Sequence, residues 1–184
     1  MLTENRMGSL AWLLACMREM PPLARSQTEM ARILDRVCEC GPSLNTQLPA
    51  EKGRYTRTCA FADDGFEVLL LNWAPGAASA IHDHGDQHCW LAVLEGRLAV
   101  DDYVRVDRAE RPDRAVVVPD GTAILSRGDV DARSGRFDIH RVAEAGGSGA
   151  ISLHVYARPL RTFQIYDEFS QRCRPATGKY DAVL

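Results

Sequence analysis

Two helical segments come first in the hydrophobic pattern of the chain. Residues 9–20 carry apolar side chains at the spacing of one helix face, and Ser9 is placed to cap that helix. A second helix is expected after Ser26, with Glu29 completing a capping box and Gly41-Pro42 ending it. We expect both helices to cover one flank of a sheet. Their apolar positions are Leu10, Leu13, Leu14 and Met17 in the first and Met30, Ile33, Leu34 and Val37 in the second.

From Tyr55 onward the pattern changes to short apolar runs separated by turns. Residues 66–73 form an apolar run that is typical of a buried strand. Pro119-Asp120-Gly121 predicts a turn between two further strands. Several short strands at regular spacing indicate a barrel or a sandwich. The other predicted strands are residues 90–94, 97–106, 116–118, 122–125, 137–142 and 150–156.

The length suits one domain, residues 1–184. Within it we expect a helical region over 1–50, a β-rich region over 51–170, and a polar tail over 171–184 that either wraps around the barrel or stays loose.

Composition narrows the class of protein. The net charge of -3 gives no bulk positive field for nucleic acid or acidic lipid, and no apolar run approaches the roughly 20 residues of a membrane helix. The N-terminus does not resemble a signal peptide, because Glu4 and Arg6 precede its apolar run. The six cysteines are then expected to be reduced thiols, and Cys38-Glu39-Cys40 is only a weak metal-binding pattern. We expect a cytoplasmic monomer that binds neither nucleic acid nor membrane.

Histidines concentrate in residues 81–90. His82 and His84 are two apart, so on a strand both imidazoles would leave the same face, which a metal ion can use. His140, in a later segment with a strand pattern, is a candidate third ligand. Three neutral imidazoles leave other coordination positions open, which is typical of a catalytic metal site. The ligand types alone fit zinc as well as iron, and Asp83 is expected to point away from the two neighbouring histidines.

A polar row occupies one face of the predicted strand 150–156. Ser152, His154 and Tyr156 lie at i, i+2 and i+4, and apolar residues alternate with them. If the row faces a barrel interior, its members must hydrogen-bond one another or a ligand, because unpaired buried polar groups are costly. If it faces outward, it is an ordinary solvated surface, and periodicity alone does not distinguish the two.

The stretch from Gly76 to Gly96 resembles a known motif. After Gly76 come five residues, His82-Asp83-His84, four residues, Cys89, six residues and Gly96, which is the spacing of the first cupin motif. The general cupin pattern has Glu where this chain has Cys89, and cysteine there is a feature of the eukaryotic-type cysteine dioxygenases. The chain resembles that family over roughly residues 55–167. It departs from the second cupin motif, where Glu144 stands in the usual Asn place.

This resemblance implies a mainly β fold, a single small jelly-roll-like β-barrel of the cupin type with N-terminal helices. It implies Fe(II) held by His82, His84 and His140, with a substrate thiolate as the anionic donor. It also implies that Arg57, beside Tyr55, grips the substrate carboxylate, although an arginine is by type expected on the surface.

The resemblance further implies that Ser152, His154 and Tyr156 lie beside the iron. Tyr156 would be joined to Cys89 by a thioether; without that bond, Cys89 would be a free thiol packed as a small apolar group. Trp73 also has a counterpart in the family and is expected to pack near the site.

The implied activity is that of a thiol dioxygenase, which oxidises L-cysteine with O2 to cysteine sulfinate. A near alternative is a dioxygenase for 3-mercaptopropionate, but that subgroup has Gln in the role of Arg57. A non-catalytic metal-binding cupin is a second alternative, against which Cys89 and the Ser152-His154-Tyr156 row argue. A zinc hydrolase is a third, and it would lack an obvious general base other than His88.

Overall fold

A computed structural model describes residues 8–39 and 51–184 of the chain. Helix α1 spans Leu10–Glu19 and helix α2 spans Gln27–Glu39, with a short 3₁₀ helix over Pro22–Ala24 between them. Ser9 Oγ accepts the N–H of Trp12 at 3.2 Å, and Ser26 Oγ accepts the N–H of Glu29 at 3.2 Å. Both predicted helices and their serine N-caps are confirmed, whereas the Glu29 side chain accepts from Arg32 at 3.4 Å and not from the N–H of Ser26. Gly41-Pro42 and Cys40 lie outside the described residues.

Two six-stranded sheets make up the β-structure of the described residues. The first has the strand order β12-β1-β2-β9-β4-β7 and the second has the order β11-β10-β3-β8-β5-β6. The fold is mainly β with N-terminal helices, as predicted, and it is a two-sheet jelly roll in which no continuous hydrogen-bonded barrel closes among these strands. The strands are β1 (Tyr55–Ala62), β2 (Glu67–Trp73), β3 (Ile81–His82), β4 (His88–Glu95), β5 (Arg97–Arg105), β6 (Val117–Ser126), β7 (Val130–Ser134), β8 (Ile139–Glu144), β9 (Ala150–Tyr156), β10 (Thr162–Asp167), β11 (Arg172–Thr177) and β12 (Ala182–Val183).

Strand β2 is buried on both faces, and this explains why its positions 68–71 are all apolar. Val68 and Leu70 pack with α1 and α2 in one core cluster, whereas Leu69, Leu71 and Trp73 belong to a second cluster between the sheets. The helices therefore cover the outer face of the first sheet. The inner face of that sheet is left to line the space between the sheets, where the candidate site lies.

The turn predicted at Pro119-Asp120-Gly121 is wrong. Strand β6 runs through these residues without interruption. Pro119 pairs with Tyr103 and Gly121 pairs with Asp102, so Asp120 is the additional residue of a β-bulge. Proline is tolerated here because β6 is the edge strand of its sheet.

The last part of the chain lies on both sheets. Strand β11 pairs with β10, and β12 pairs in parallel with β1 through Thr58 opposite Ala182 and Cys59 opposite Val183. Of the two alternatives for the tail, wrapping around the β-structure is the one observed. No helix in the described ranges is long and apolar enough to cross a membrane.

Candidate metal centre

Three histidines converge between the two sheets. His82 lies on β3 and pairs directly with His140 on β8, and the candidate ligand atoms of His82, His84 and His140 all lie within 4.8 Å of one another. The ring centroids are 5.3 Å apart for His82 and His84, 4.7 Å for His82 and His140, and 4.8 Å for His84 and His140. The sequence placed His82 and His84 on one strand, but β3 ends at His82. His84 follows in an extended loop and still turns its ring to the same side.

Asp83 fixes this loop from the other side. Its carboxylate accepts the Tyr166 hydroxyl at 2.7 Å, the N–H of Gly85 at 2.9 Å and the N–H of Gln164 at 3.0 Å. The expectation that Asp83 points away from the metal face therefore holds, and the side chain is a buried structural anchor. Gly85 adopts a positive φ of 57°, and a Cβ there would lie 2.8 Å from the carbonyl oxygen of Thr162. Only glycine fits this turn without displacing the backbone beside His84.

The three imidazoles are suited to hold a metal ion. Burial lowers the pKa of His82 and lowers the pKa of His84 and His140 well below the usual value for histidine, so all three are neutral donors. His82 Nδ1 lies 2.9 Å from the carbonyl oxygen of Ala80, which orients that ring. The Nδ1 atoms of His84 and His140 are buried and have no hydrogen-bond partner among the described residues. The donor set therefore fits a divalent transition metal with open coordination positions.

A small cavity of about 90 Å³ opens onto the three histidines. Arg57 and Tyr55, on β1, are among the residues that line it. Unlike Arg133 or Arg141, Arg57 makes no ion pair with any side chain of the described residues. A guanidinium in this setting can receive a carboxylate through two parallel hydrogen bonds. The cavity is lined by Tyr55, Arg57, Leu71, Trp73, Ser79, Ala80, His82, His84, His140, Val142, His154, Tyr156, Leu160, Phe163 and Ile165.

The polar row of β9 faces the interior, because Ser152, His154 and Tyr156 are buried while Leu153 and Val155 pack against the helices. Trp73 Nε1–H donates to Ser152 Oγ at 2.9 Å, and Ser152 Oγ lies 2.9 Å from His154 Nε2. The indole can only donate, so one serine hydroxyl accepts the Trp73 proton and also contacts the imidazole nitrogen, which links Trp73 to His154. Burial lowers the pKa of His154 to about 3, so the ring is neutral.

Tyr156 stands next in the row, with its ring stacked on that of His154 at 6.4 Å between centroids. It is also the direct cross-strand partner of Cys89 on β4, and both side chains lie in the core cluster between the sheets. Burial raises the pKa of Cys89 to about 12 and raises that of Tyr156 well above its usual value. Both groups are therefore protonated at neutral pH and adjacent, which is the arrangement a thioether between them would need.

Two charged residues, one buried and one partly buried, flank this pair and were missed by the sequence analysis. Glu67 is the cross-strand partner of Tyr156, and Arg133 is the cross-strand partner of Cys89. Arg133 is ion-paired with Asp131 at 2.7 Å and with Asp102 on the opposite sheet. Only the pairing register brings these residues together, and their spacing along the chain carries no signal of it.

Other predicted residues fall outside the cavity. His88 is exposed on the outer face of β4 and stacks on Trp90, with centroids 5.9 Å apart, so it cannot act as a base in the cavity. Glu144 accepts the N–H groups of Gly76, Gly146 and Gly149, which ties two turns together. Cys38 is buried in α2 with its sulfur directed at the carbonyl of Val93 at 3.7 Å.

Phe163 is a lining residue that the sequence analysis missed. Its ring meets the edge of His82 at 5.8 Å, and it also borders a wide surface depression, so it stands at the mouth of the cavity. Strand β10, which carries it, has too weak an apolar pattern to have been predicted.

Known proteins resemble this chain in sequence and fold. A sequence profile described as cysteine dioxygenase type I matches residues 46–169. The chain is 31% identical over 117 residues to cysteine dioxygenase type 1 of Danio rerio, covering 62% of this chain and 57% of that protein. It is 29% identical over 117 residues to the Homo sapiens protein of the same name, covering 62% and 56%. The chain thus spans a little over half the length of these relatives.

A likeness of fold alone extends to a solved structure, the TT1209 protein of Thermus thermophilus. It aligns with a TM-score of 0.50 and 20% sequence identity over 64% of this chain and 96% of that one.

Proposed function

Because the chain belongs to the cysteine dioxygenase type I family, we propose that it is a thiol dioxygenase that oxidises L-cysteine with O2 to cysteine sulfinate. The overall change is balanced by the two substrates: the thiol sulfur is oxidised, O2 is reduced, and both oxygen atoms end on sulfur. The observation that carries the proposal is the cluster of His82, His84 and His140 in one small cavity with Arg57.

We propose that these histidines hold Fe(II), which when bound would supply the redox chemistry that activates O2 and would take the substrate thiolate as an anionic ligand. The remaining tasks fall to the protein. Arg57 binds the carboxylate of the substrate and fixes its orientation, so that the thiol is directed toward the histidines. The small cavity excludes bulk water from this arrangement.

Tyr156 supplies a hydroxyl close to the reacting atoms. Its pKa is raised by burial, so it remains a hydrogen-bond donor throughout the neutral range. His154 backs the tyrosine ring and is itself held by Ser152 and Trp73. We propose that Cys89 and Tyr156 become joined by a thioether with loss of two hydrogens, with O2 as the oxidant, and that this locks the tyrosine in place. We further propose a cytoplasmic location, where cysteines are ordinarily kept reduced.

Metal loading tests the ligand assignment. We expect His84→Ala to lose stoichiometric iron after anaerobic loading, since one of three donors is removed. His88→Ala is the matched control, because it removes an exposed histidine outside the cavity. Metal analysis of both variants decides the point: full iron content in His84→Ala would contradict the ligand set.

Substrate range tests the role of Arg57. We expect Arg57→Ala to raise the KM for L-cysteine by roughly tenfold or more, because a charge-assisted bidentate contact is lost, while iron content stays unchanged. A KM equal to that of the wild type would remove Arg57 from the carboxylate role. Activity of the wild type on 3-mercaptopropionate but not on L-cysteine would replace the proposed substrate and keep the reaction class.

A further inference from the structure

We propose that Gly178–Leu184, called here the closing segment, holds Arg57 in the orientation that receives the substrate carboxylate, with Asp181 and Tyr180 as positioning residues. The inference rests on the proposed function of Arg57. The closing segment lies beyond residues 46–169, where the chain matches its family, so it is a part of the site's support that the family motifs do not describe.

One residue of the closing segment, Asp181, binds both backbone polar groups of Arg57. Arg57 N–H donates to the Asp181 carboxylate at 2.8 Å, and Asp181 N–H donates to the carbonyl oxygen of Arg57 at 2.8 Å. Strand β12 continues this contact in parallel along β1, and the N–H of Leu184 donates to the carbonyl of Cys59 at 3.0 Å. Since β12 is the outer neighbour of β1, the closing segment forms the edge of the sheet that carries Arg57.

The guanidinium of Arg57 lies against Gly178. A Cβ at Gly178 would be 2.5 Å from the carbonyl oxygen of Leu160 and 3.6 and 3.7 Å from the two terminal guanidinium nitrogens of Arg57. Leu160 in turn lines the cavity. The absence of a side chain at Gly178 lets the closing segment approach both groups, so the segment limits the directions in which the guanidinium can lie.

A buried carboxylate anchors the closing segment to the neighbouring strand. The Tyr180 hydroxyl donates to Glu67 on β2, and Glu67 is only 1% exposed. Glu67 is also the cross-strand partner of Tyr156. The hydrogen bond between Tyr180 and Glu67 therefore connects the closing segment to β2, the strand that pairs with Tyr156.

This geometry predicts a selective effect on substrates that carry a carboxylate. A small displacement of Arg57 weakens a bidentate contact strongly, because both hydrogen bonds depend on one orientation. A thiol without a carboxylate makes no such contact. Cysteamine has the thiol and the amine of cysteine and lacks its carboxylate, so the pair of substrates separates positioning from general damage.

The test compares Asp181→Ala, Asp181→Asn and Tyr180→Phe with Lys179→Ala, an exposed neighbour in the same segment. KM and kcat are measured for L-cysteine and cysteamine, together with iron content. We expect Asp181→Ala to raise the KM for L-cysteine by roughly three- to thirtyfold while its kinetics with cysteamine change by less than about twofold. Asp181→Asn should recover most of the loss, since its amide oxygen can still accept the Arg57 N–H, and Lys179→Ala should match the wild type.

Equal changes for both thiols, or none, would overturn the positioning role. Tyr180→Phe, which keeps the ring, provides the same comparison if Asp181→Ala does not fold. A wild type that oxidises neither thiol would refute the proposed function instead. In that case the positioning role is tested by calorimetric binding of L-cysteine. The role is supported if Asp181→Ala binds L-cysteine several-fold more weakly than the wild type does. It is refuted if the two Kd values agree or if the wild type does not bind L-cysteine.

Discussion

Replacing Ser152 by alanine should destabilise the protein far more than the loss of one hydroxyl on a surface. Ser152 Oγ accepts from Trp73 Nε1–H and lies against His154 Nε2, each at 2.9 Å, and all three side chains are buried. Alanine leaves a buried indole N–H and a buried imidazole nitrogen without their partner. Each such group costs about 1–3 kcal/mol, so for the two groups together we expect a loss of roughly 2–6 kcal/mol in the free energy of unfolding.

Thermal and urea unfolding measure this loss. For a chain of this length the expected loss corresponds to a fall in Tm of roughly 4–24 °C. Ser148→Ala, at an exposed position, is the control and should stay within about 0.5 kcal/mol of the wild type.

A double-mutant cycle isolates the hydrogen bond itself. In a Trp73→Phe background the donor is already gone, so Ser152→Ala should cost less there by about 1 kcal/mol or more. Ser152→Ala as stable as Ser148→Ala, or strictly additive effects in the cycle, would refute the hydrogen-bonded chain described for β9.

Gly85→Ala should lose iron affinity, because its Cβ would lie 2.8 Å from the carbonyl oxygen of Thr162, beside His84. Gly53→Ala is the control and should retain iron, because Gly53 also has a positive φ but a Cβ there would have no atom within 4 Å. Equal metal contents in the two variants would contradict the steric argument. Cys89→Ser should remove the thioether, and an intact mass still short by two hydrogens would place the linkage elsewhere. Burial raises the pKa of Glu67, so its ionisation opposes folding. The free energy of unfolding of the wild type relative to Glu67→Gln should therefore fall as the pH rises from the ordinary Glu pKa, about 4.3, through the raised pKa of Glu67. Urea unfolding at several pH values measures this difference. A difference in unfolding free energy that does not vary with pH would exclude a buried carboxyl that ionises.

Local patterns were enough to predict the helices and the strands that are buried on both faces. Strand β2 shows why: its two faces enter two different cores, so its positions 68–71 are all apolar. Strands β10 and β11 could not be found in this way, because most of their residues are exposed or half-exposed and no alternation of apolar side chains marks them. Pro119-Asp120-Gly121 has the residue types that favour a turn, but at the edge of a sheet the same residues form a β-bulge.

The same distinction applies to the candidate site: features that depend on residues close in sequence could be predicted, and those that depend on long-range pairing could not. His82 and His84 are neighbours in sequence, so their pairing was visible, and the Cys89 spacing pointed to the family. The setting of Arg57 was not visible, because it depends on Asp181, which is 124 residues away. Glu67 and Arg133 take their places beside Tyr156 and Cys89 only through the register of four strands. Long-range pairing of this kind leaves no periodic signal in one sequence.

The central claim is that a three-histidine iron site in this chain inserts both atoms of O2 into a thiol. The protein is loaded anaerobically with Fe(II), mixed with L-cysteine and exposed to isotopically labelled O2, and the sulfinate is analysed by mass spectrometry while oxygen consumption is followed. We predict one O2 consumed per sulfinate formed, with both sulfinate oxygens labelled. Iron bound in full with no sulfinate formed, or sulfinate that draws one oxygen from water, would contradict the account.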